Sequence, residues 1–291
     1  MAKDLRTRLQ RAELRRLYLV EKRSLEDIAR LYGVSRVAVW KYCKDENLTR
    51  RGRSEARLEA QKKGKVEQRF FDINDNFFAN WSPEMAYVLG LITTDGCISR
   101  SGTISLCIND KDLLEKVRLV MESEHKICRA KHQERLYCFR FARPRLVKDL
   151  AGLGILPGKS LNVKFPTVPD AFIRDFVRGV FDGDGSVFFD NRSKNCPVRT
   201  KFVSSSKEFI DRLELTLREC GLPERKIYGQ PTKNGTSYMI KYGHKDSERL
   251  FAVMYGDRKN SMFIGRKYDK FREGFKNGET ISDNVKYSGR F

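Results

Sequence analysis

The chain has 291 residues, 40% of them hydrophobic, enough for two or three domains with proper cores and no staple from metal or disulfide. A net charge of +20 points to an acidic polymer as partner, and 38 acidic residues rule out a mere basic tail. No apolar run approaches membrane-spanning length, no leader-like stretch opens the chain, and seven scattered cysteines without a Cys-x-x-Cys pair read as buried thiols of a reducing compartment.

The expectation is therefore a soluble, intracellular, cytoplasmic protein with no membrane association. Residues 1–48 are helical in pattern. Leu14, Leu17, Tyr18 and Val20 mark one face of a first helix, and Ser24 with Asp27 three residues on resembles a capping box. SLEDIARLYGVSRVAVWKYCKDENL, Ser24 to Leu48, reads as a helix-turn-helix. Ile28 and Val39 can pack across the turn, Ala29 permits a close crossing, and Gly33 supplies the turn conformation. The second helix would present Ser35, Arg36 and Lys41 to nucleic acid, Arg36 to guanine or phosphate and Lys41 to phosphate. Trp40 reads as core. Residues 49–69 are strongly basic and almost free of apolar side chains, so they read as a linker.

From Phe70 the chain repeats itself. Residues 70–160 and 161–291 each give helix, two strands, helix, two strands, helix. The opening helices are Pro83 to Asp95 and Ala171 to Asp184. The amphipathic helices that follow are Lys111 to Met121 and Lys207 to Cys220, and the closing ones are Pro144 to Leu153 and Ser247 to Met254. Beyond Tyr255, FIGRKYDKFREGF reads as a basic terminal helix, either on nucleic-acid backbone or packed on the second half.

The opening helices carry a doubled motif, VLGLITTDG (Val88 to Gly96) and VRGVFDGDG (Val177 to Gly185), and the same interval separates Gly90 from Gly179 and Asp95 from Asp184. A mid-helix glycine costs about 1 kcal/mol relative to alanine, so Gly90 and Gly179 imply a helix–helix interface. Gly96 and Gly185 suit left-handed helix ends. Asp95 and Asp184 then sit at the unfavourable, negative ends of their helix dipoles. If the twin helices pack side by side, two carboxylates converge and call for a divalent cation such as Mg2+.

Order, spacing and flanks, including FFANWSPEMAYVLGLITTDG and PGKSLNVKFP followed by FVRGVFDGDGSV, resemble the LAGLIDADG homing endonucleases in their single-chain, two-repeat form. The resemblance implies an α+β protein of two pseudo-symmetric αββαββα repeats, preceded by the small helical module. It implies that the motif helices form the interface and that curved antiparallel sheets saddle double-stranded DNA. Asp95 and Asp184, with the backbone carbonyls of Thr94 and Gly183, would hold Mg2+, with Mn2+ able to substitute. The implied activity is a site-specific double-strand break in a long non-palindromic target, made by a monomer and leaving short 3′ overhangs. Arg143 and Lys245 match the basic residues that the family places near the scissile phosphates. The context implied is intron-encoded or freestanding, of bacterial or phage type, since the Met1 start and Ser-Gly-Arg-Phe end do not suit an intein.

Candidate DNA contacts are Arg100 and, by strand alternation, Ser99, Ser105, Arg129, Lys131, Arg140, Arg192, Lys194, Arg199, Lys201, Gln230 and Lys241. Asp182 replaces Thr93 in the second motif, and its offset from the helix end turns it away from the shared face. His125, Cys128, His132 and Cys138 match no zinc-finger spacing. Three histidines suggest no Ser-His-Asp set. The competing readings are a catalytically silent transcriptional regulator and a group I intron RNA maturase.

Overall fold

The computed structural model describes residues 5, 7–64, 71–130, 133–158, 163–190, 197–233, 235–256 and 262–276. The chain divides into two compact units, Met1–Phe70 and Phe71–Phe291.

In the first unit, helix α1 (Arg11–Arg15) runs into a π-helical turn, Arg16–Val20. Leu14, Leu17 and Tyr18 are buried as their spacing predicts, whereas Val20 is 76% exposed: the wider π turn rotates it off the apolar face. Helix α2 (Leu25–Leu31) starts with both halves of the Ser24–Asp27 capping box. Helix α3 (Arg36–Asp45) starts at Ser35, whose hydroxyl accepts from the Ala38 amide. Gly33 joins the two at φ +64, the left-handed conformation a glycine tolerates without strain. Ile28, Ala29 and Val39 are buried between them, and the guanidinium of Arg50 lies 5.9 Å from the half-buried Trp40 ring.

The basic segment expected to act as a linker instead docks on this unit. Arg51 stacks 4.5 Å over the Tyr18 ring and donates to the carbonyls of Lys22 and Arg23. Helix α4 (Arg53–Lys62) follows, and Lys63 then donates to the Glu21 carbonyl at 2.6 Å. Cations on long stems can seal a helical core by capping carbonyls and covering rings, which the low apolar content of residues 49–64 conceals.

The second unit opens with motif helix α5 (Pro83–Asp95), capped by Ser82 and carrying proline at its first turn. Strands β1 (Gly96–Ile98) and β2 (Ile104–Ile108), helix α6 (Lys111–Val120), strands β3 (Ile127–Ala130) and β4 (Gln133–Phe141) and helix α7 (Pro144–Gly152) complete the first repeat. In the second, a 3-10 turn (Asp170–Phe172) leads into motif helix α8 (Ile173–Asp184). Strands β5 (Gly185–Phe189) and β6 (Val198–Ser204), helix α9 (Lys207–Glu219), strands β7 (Tyr228–Thr232) and β8 (Gly235–Tyr242), and helix α10 (His244–Tyr255) follow. Each repeat forms an antiparallel four-stranded sheet, ordered β1-β2-β4-β3 and β5-β6-β8-β7.

Alternation buries one face of each sheet. Ile104, Leu106, Phe139 and Phe141 fill it in the first, and Val198, Phe202, Ile240 and Tyr242 in the second. Leu113, Leu114 and Val117 of α6 and Phe209, Ile210 and Leu213 of α9 join the same core. A last helix, α11 (Gly265–Lys276), packs Phe271 and Phe275 on Phe251, which selects packing on the second half for the basic terminal segment. Gly96 and Gly185 are not left-handed: both are extended, φ −79 and −80, because each motif helix passes straight into a strand. Glycine is needed there for space. A Cβ at Gly96 would lie 2.5 Å from the Ile92 carbonyl oxygen, and one at Gly185 would meet the Phe181 carbonyl.

The cysteines depart from the expectation of buried thiols. Cys43 and Cys220 are buried, Cys97 and Cys128 are exposed, and Cys107 and Cys138 are joined by a disulfide.

Candidate active site and nucleic-acid interface

The site lies where α5 and α8 end side by side. Their crossing leaves no room for side chains: a Cβ on Gly90 would lie 2.5 Å from the Phe176 carbonyl oxygen, and one on Gly179 would strike the Tyr87 carbonyl. At the ends, Thr94 packs directly on Gly183, and the Asp95 Oδ2 atom lies 3.2 Å from the position a Gly183 Cβ would take. Thr94, Asp95 and Gly183 are thus brought together, with Asp184 next in the chain. Asp95 is half-buried and Asp184 is exposed.

The two helix ends are finished differently. In α5, Thr93 donates to the Leu89 carbonyl at 2.7 Å and Thr94 to those of Gly90 and Leu91. In α8, the work falls to Lys267 of α11, which was not anticipated. Its ammonium donates to the carbonyls of Phe181, Asp182 and Gly185 at 2.6–2.7 Å and approaches that of Gly183 at 3.4 Å. A cation at a helix C-terminus offsets the dipole that Asp184 opposes. Burial pulls the Lys267 pKa down to about 8 against the upward pull of Asp182, Asp95 and Asp184. Ile264, Lys267, Tyr268, Phe271 and Phe275 share one helical stripe, so a lysine on an apolar face was the available signal.

Asp182 does not turn away into insignificance. It is buried, accepts from the Tyr87 hydroxyl of α5 at 2.7 Å and from the Ile264 amide at 2.9 Å, and so joins both motif helices to α11. Burial raises its pKa and raises that of Tyr87 further, with the Asp182 charge adding to the latter. Arg178, also unanticipated, is 3% exposed and donates to the Met262 and Met254 carbonyls and to Asp175.

Arg143 donates to the Phe71 carbonyl at 2.7 Å and pairs with Asp75, so its charge is already partnered. Lys245 is exposed on the first turn of α10. On the open face of the first sheet, Arg140 lies opposite Ser105. Arg129 does not share that face: it pairs in register with Tyr137, over whose ring it stacks, and so lies on the other side from Cys128 and Arg140. Regular alternation from Ile127, which pairs with the buried Phe139, puts Arg129 on that side, and the register shifts only beyond it, at Arg129/Ala130. Arg100 is exposed in the β1–β2 turn, which also holds Ser99. On the second sheet, Lys201 and Lys241 are directly opposite, Gln230 faces Ser237, and Arg199 is paired with the buried Asp190 at 2.8 Å. Lysines facing each other across strands repel, a cost that a polyanion would relieve. Lys131, Arg192 and Lys194 lie outside the described residues. In the first unit Ser35, Arg36 and Lys41 are exposed along the start and outer face of α3.

The family model of the LAGLIDADG-like domain matches residues 82–133 and 171–254, one segment in each repeat and each containing a motif helix. Both repeats are thus similar to the LAGLIDADG-like domain. A probable translation initiation factor IF-2 of Methanocaldococcus jannaschii is 29% identical over 208 residues, 69% of this chain. The chain spans only 15% of that relative's length. Similar solved structures include the LAGLIDADG homing endonuclease I-GzeII in complex with its DNA target, at 11% identity, TM-score 0.48 and coverage of 68% of this chain and 89% of that one. Full-length DUF199/WhiA from Thermatoga maritima is similar at 14% identity and TM-score 0.44, covering 72% and 67% of the two chains. The homing endonuclease I-WcaI bound to its recognition sequence is similar at 17% and 0.44, covering 67% and 90%. At such scores these structural likenesses add nothing to the reading of the site.

Among the described residues, which exclude His132, no group of three or more His, Cys, Asp or Glu side chains is placed to hold a metal ion. No described helix is long and apolar enough to cross a membrane. The motif ends offer instead two carboxylates and the carbonyls of Thr94 and Gly183. An all-oxygen donor set of that kind suits hydrated Mg2+, and Gly183 leaves space for Asp95 to reach the end of α8.

Proposed function

We propose that this protein is a site-specific DNA endonuclease that cuts both strands with Mg2+ or Mn2+ as cofactor. The observation that carries the reading is the approach of the Asp95 carboxylate to Gly183 at the paired ends of the motif helices. Like charges at dipole-negative helix ends are held together only against a compensating cation, and Lys267 supplies part of it on one side. Asp95, Asp184 and the carbonyls of Thr94 and Gly183 would hold the metal, which when bound activates water and stabilises the leaving oxygen. The sheets lay Arg140, Lys201 and Lys241 on duplex DNA, and Arg36 and Lys41 of α3 extend the contact as a helix-turn-helix. Lys245 and Arg143 stand near the phosphates, Arg143 after exchanging Asp75 for a phosphate. The unequal helix ends, threonines in one and Lys267 with Asp182 in the other, suit a monomer acting on a non-palindromic target and leaving short 3′ overhangs.

The test is cleavage of a randomised long-duplex library by the full chain with Mg2+. Sequence-specific double-strand cuts are expected, lost in Asp95→Asn and Asp184→Asn while duplex binding persists. Footprints without cutting in any divalent metal, with both aspartates present, would replace the enzyme with a DNA-binding regulator.

A further inference from the structure

The open face of the first sheet holds cysteines aligned across its strands. Cys138 of β4 is in register with Cys107 of β2 on one side and Cys128 of β3 on the other. Residues in register on neighbouring strands share a face, so these sulfurs form one row perpendicular to the strands. Cys107 and Cys138 are joined by a disulfide, with Cα atoms 4.1 Å apart, while Cys128 is a free, exposed thiol. The corresponding row of the second sheet is Val203, Met239 and Tyr228, so the thiols are peculiar to the first repeat.

We propose that Cys107, Cys138 and Cys128 form a thiol–disulfide exchange site, in which the Cys138 sulfur is bonded in turn to either neighbour. The geometry supplies what exchange demands. The reaction is an in-line displacement at sulfur, and the register sets Cys128 and Cys107 on opposite sides of Cys138, the order that displacement requires once Cys128 turns from the Lys126 carbonyl, 3.9 Å from its sulfur. The Arg140 guanidinium lies 4.0 Å from Cys107 Sγ, where its charge stabilises the departing thiolate.

The first bond requires an oxidant, a hydroperoxide. One thiolate takes the terminal oxygen to become a sulfenic acid, the remainder leaving with a proton as an alcohol or as water, and its neighbour's thiolate then attacks that sulfur, whose oxygen leaves with a proton as water. The pair of thiols is oxidised and the peroxide reduced. The exchange itself needs no oxidant: the Cys128 thiolate bonds to Cys138 as the Cys107–Cys138 bond breaks, and Cys107 leaves as thiolate. The two isomers differ in structure. The Cys107–Cys138 bond joins the inner strands, whereas the Cys128–Cys138 bond ties down β3, an edge strand of the sheet.

The experiment oxidises the reduced full-length chain with hydrogen peroxide, removes the oxidant, then alkylates with maleimide and maps linked peptides by mass spectrometry. Both Cys107–Cys138 and Cys128–Cys138 peptides are expected, interconverting on incubation, with slower amide exchange over Ile127–Ala130 in the second isomer. Cys107→Ser is expected to lose its Cys128 and Cys138 thiols to oxidant as a pair. Continued protection of Cys43 and Cys220 from maleimide identifies the variant as folded. Cys128 and Cys138 staying fully alkylatable in folded Cys107→Ser, or a wild-type bridge that never leaves Cys107–Cys138, would overturn the proposal. The bearing of this row on duplex contact rests on the proposed function and is separable from it. Cys97, on the same face but outside the row, should be shielded from maleimide by bound duplex, and its failure to be shielded counts against the DNA reading alone.

Discussion

Replacing Gly90 by alanine tests the packing on which the site depends. The added Cβ would lie 2.5 Å from Phe176 O, 2.8 Å from Val180 N and 2.9 Å from Gly179 Cα, against an ordinary contact of 3.4–4 Å. All three are backbone atoms of a helix, so no side chain can swing aside. The helices must part by about 1 Å, which a close-packed interior does not absorb locally. Overpacking costs about 1–3 kcal/mol, here at the upper end, and alanine returns about 1 kcal/mol of helix propensity, leaving a net loss of about 2 kcal/mol. Gly179→Ala meets the Tyr87 carbonyl and should cost as much. Because one separation relieves both clashes, the double variant should lose less than the sum, a total of about 3 kcal/mol. Urea unfolding followed by Trp81 emission in a Trp40→Phe background reads the second unit, since Trp81 stacks on Phe172 at 6.0 Å beside α8. Singles that are neutral or about 1 kcal/mol more stable would show propensity alone at work, and strictly additive losses would show two independent sites. Either result refutes a shared crossing.

Other perturbations probe the parts around that crossing. Lys267→Met keeps the stem but removes the ammonium from its carbonyl partners, and should cost about 1.5–3 kcal/mol by thermal or urea unfolding, well beyond Lys270→Met, which only lies over Phe189. Asp182→Asn and Tyr87→Phe should each destabilise by about 1–3 kcal/mol, and the double variant should fall short of their sum because the first loss removes the partner of the second. Arg51→Ala should destabilise the first unit by about 1 kcal/mol in a thermal melt of the full chain, whereas a plain linker would register no change. Lys201→Gln and Lys241→Gln should each lower the slope of log duplex affinity against log salt by about 1, read by fluorescence anisotropy, and an unchanged slope would remove that face from the interface.

What could be read in advance follows from the range of the signal. The motif helices, their glycines and the sheet strands rest on periodicities of a few residues, and the internal repeat supplied the order of elements twice. The misreadings share a longer range. Asp-Gly alone suggests a left-handed turn, yet Gly96 and Gly185 are extended because the strand that follows begins at once. Asp182 was placed by its angle around one helix, but its partners are Tyr87 on the other motif helix and Ile264 before α11. Lys267 reaches back to the end of α8 from more than eighty positions along the chain, and only its place in an aromatic stripe betrays that it is buried. Alternation holds through Arg129, but which phase of it faces the core is set by the pairing of Ile127 with Phe139, which the local sequence does not show. Cys107, Cys128 and Cys138 were scattered thiols until strand pairing set them side by side. Register and tertiary approach are long-range quantities, fixed by which faces bury together, and a functional site assembled from distant segments inherits that dependence. Asp95 and Asp184 are legible as helix-end residues because that signal is local; Thr93 and Thr94 finish the first end from within their own helix, whereas Lys267 finishes the second from a distant segment.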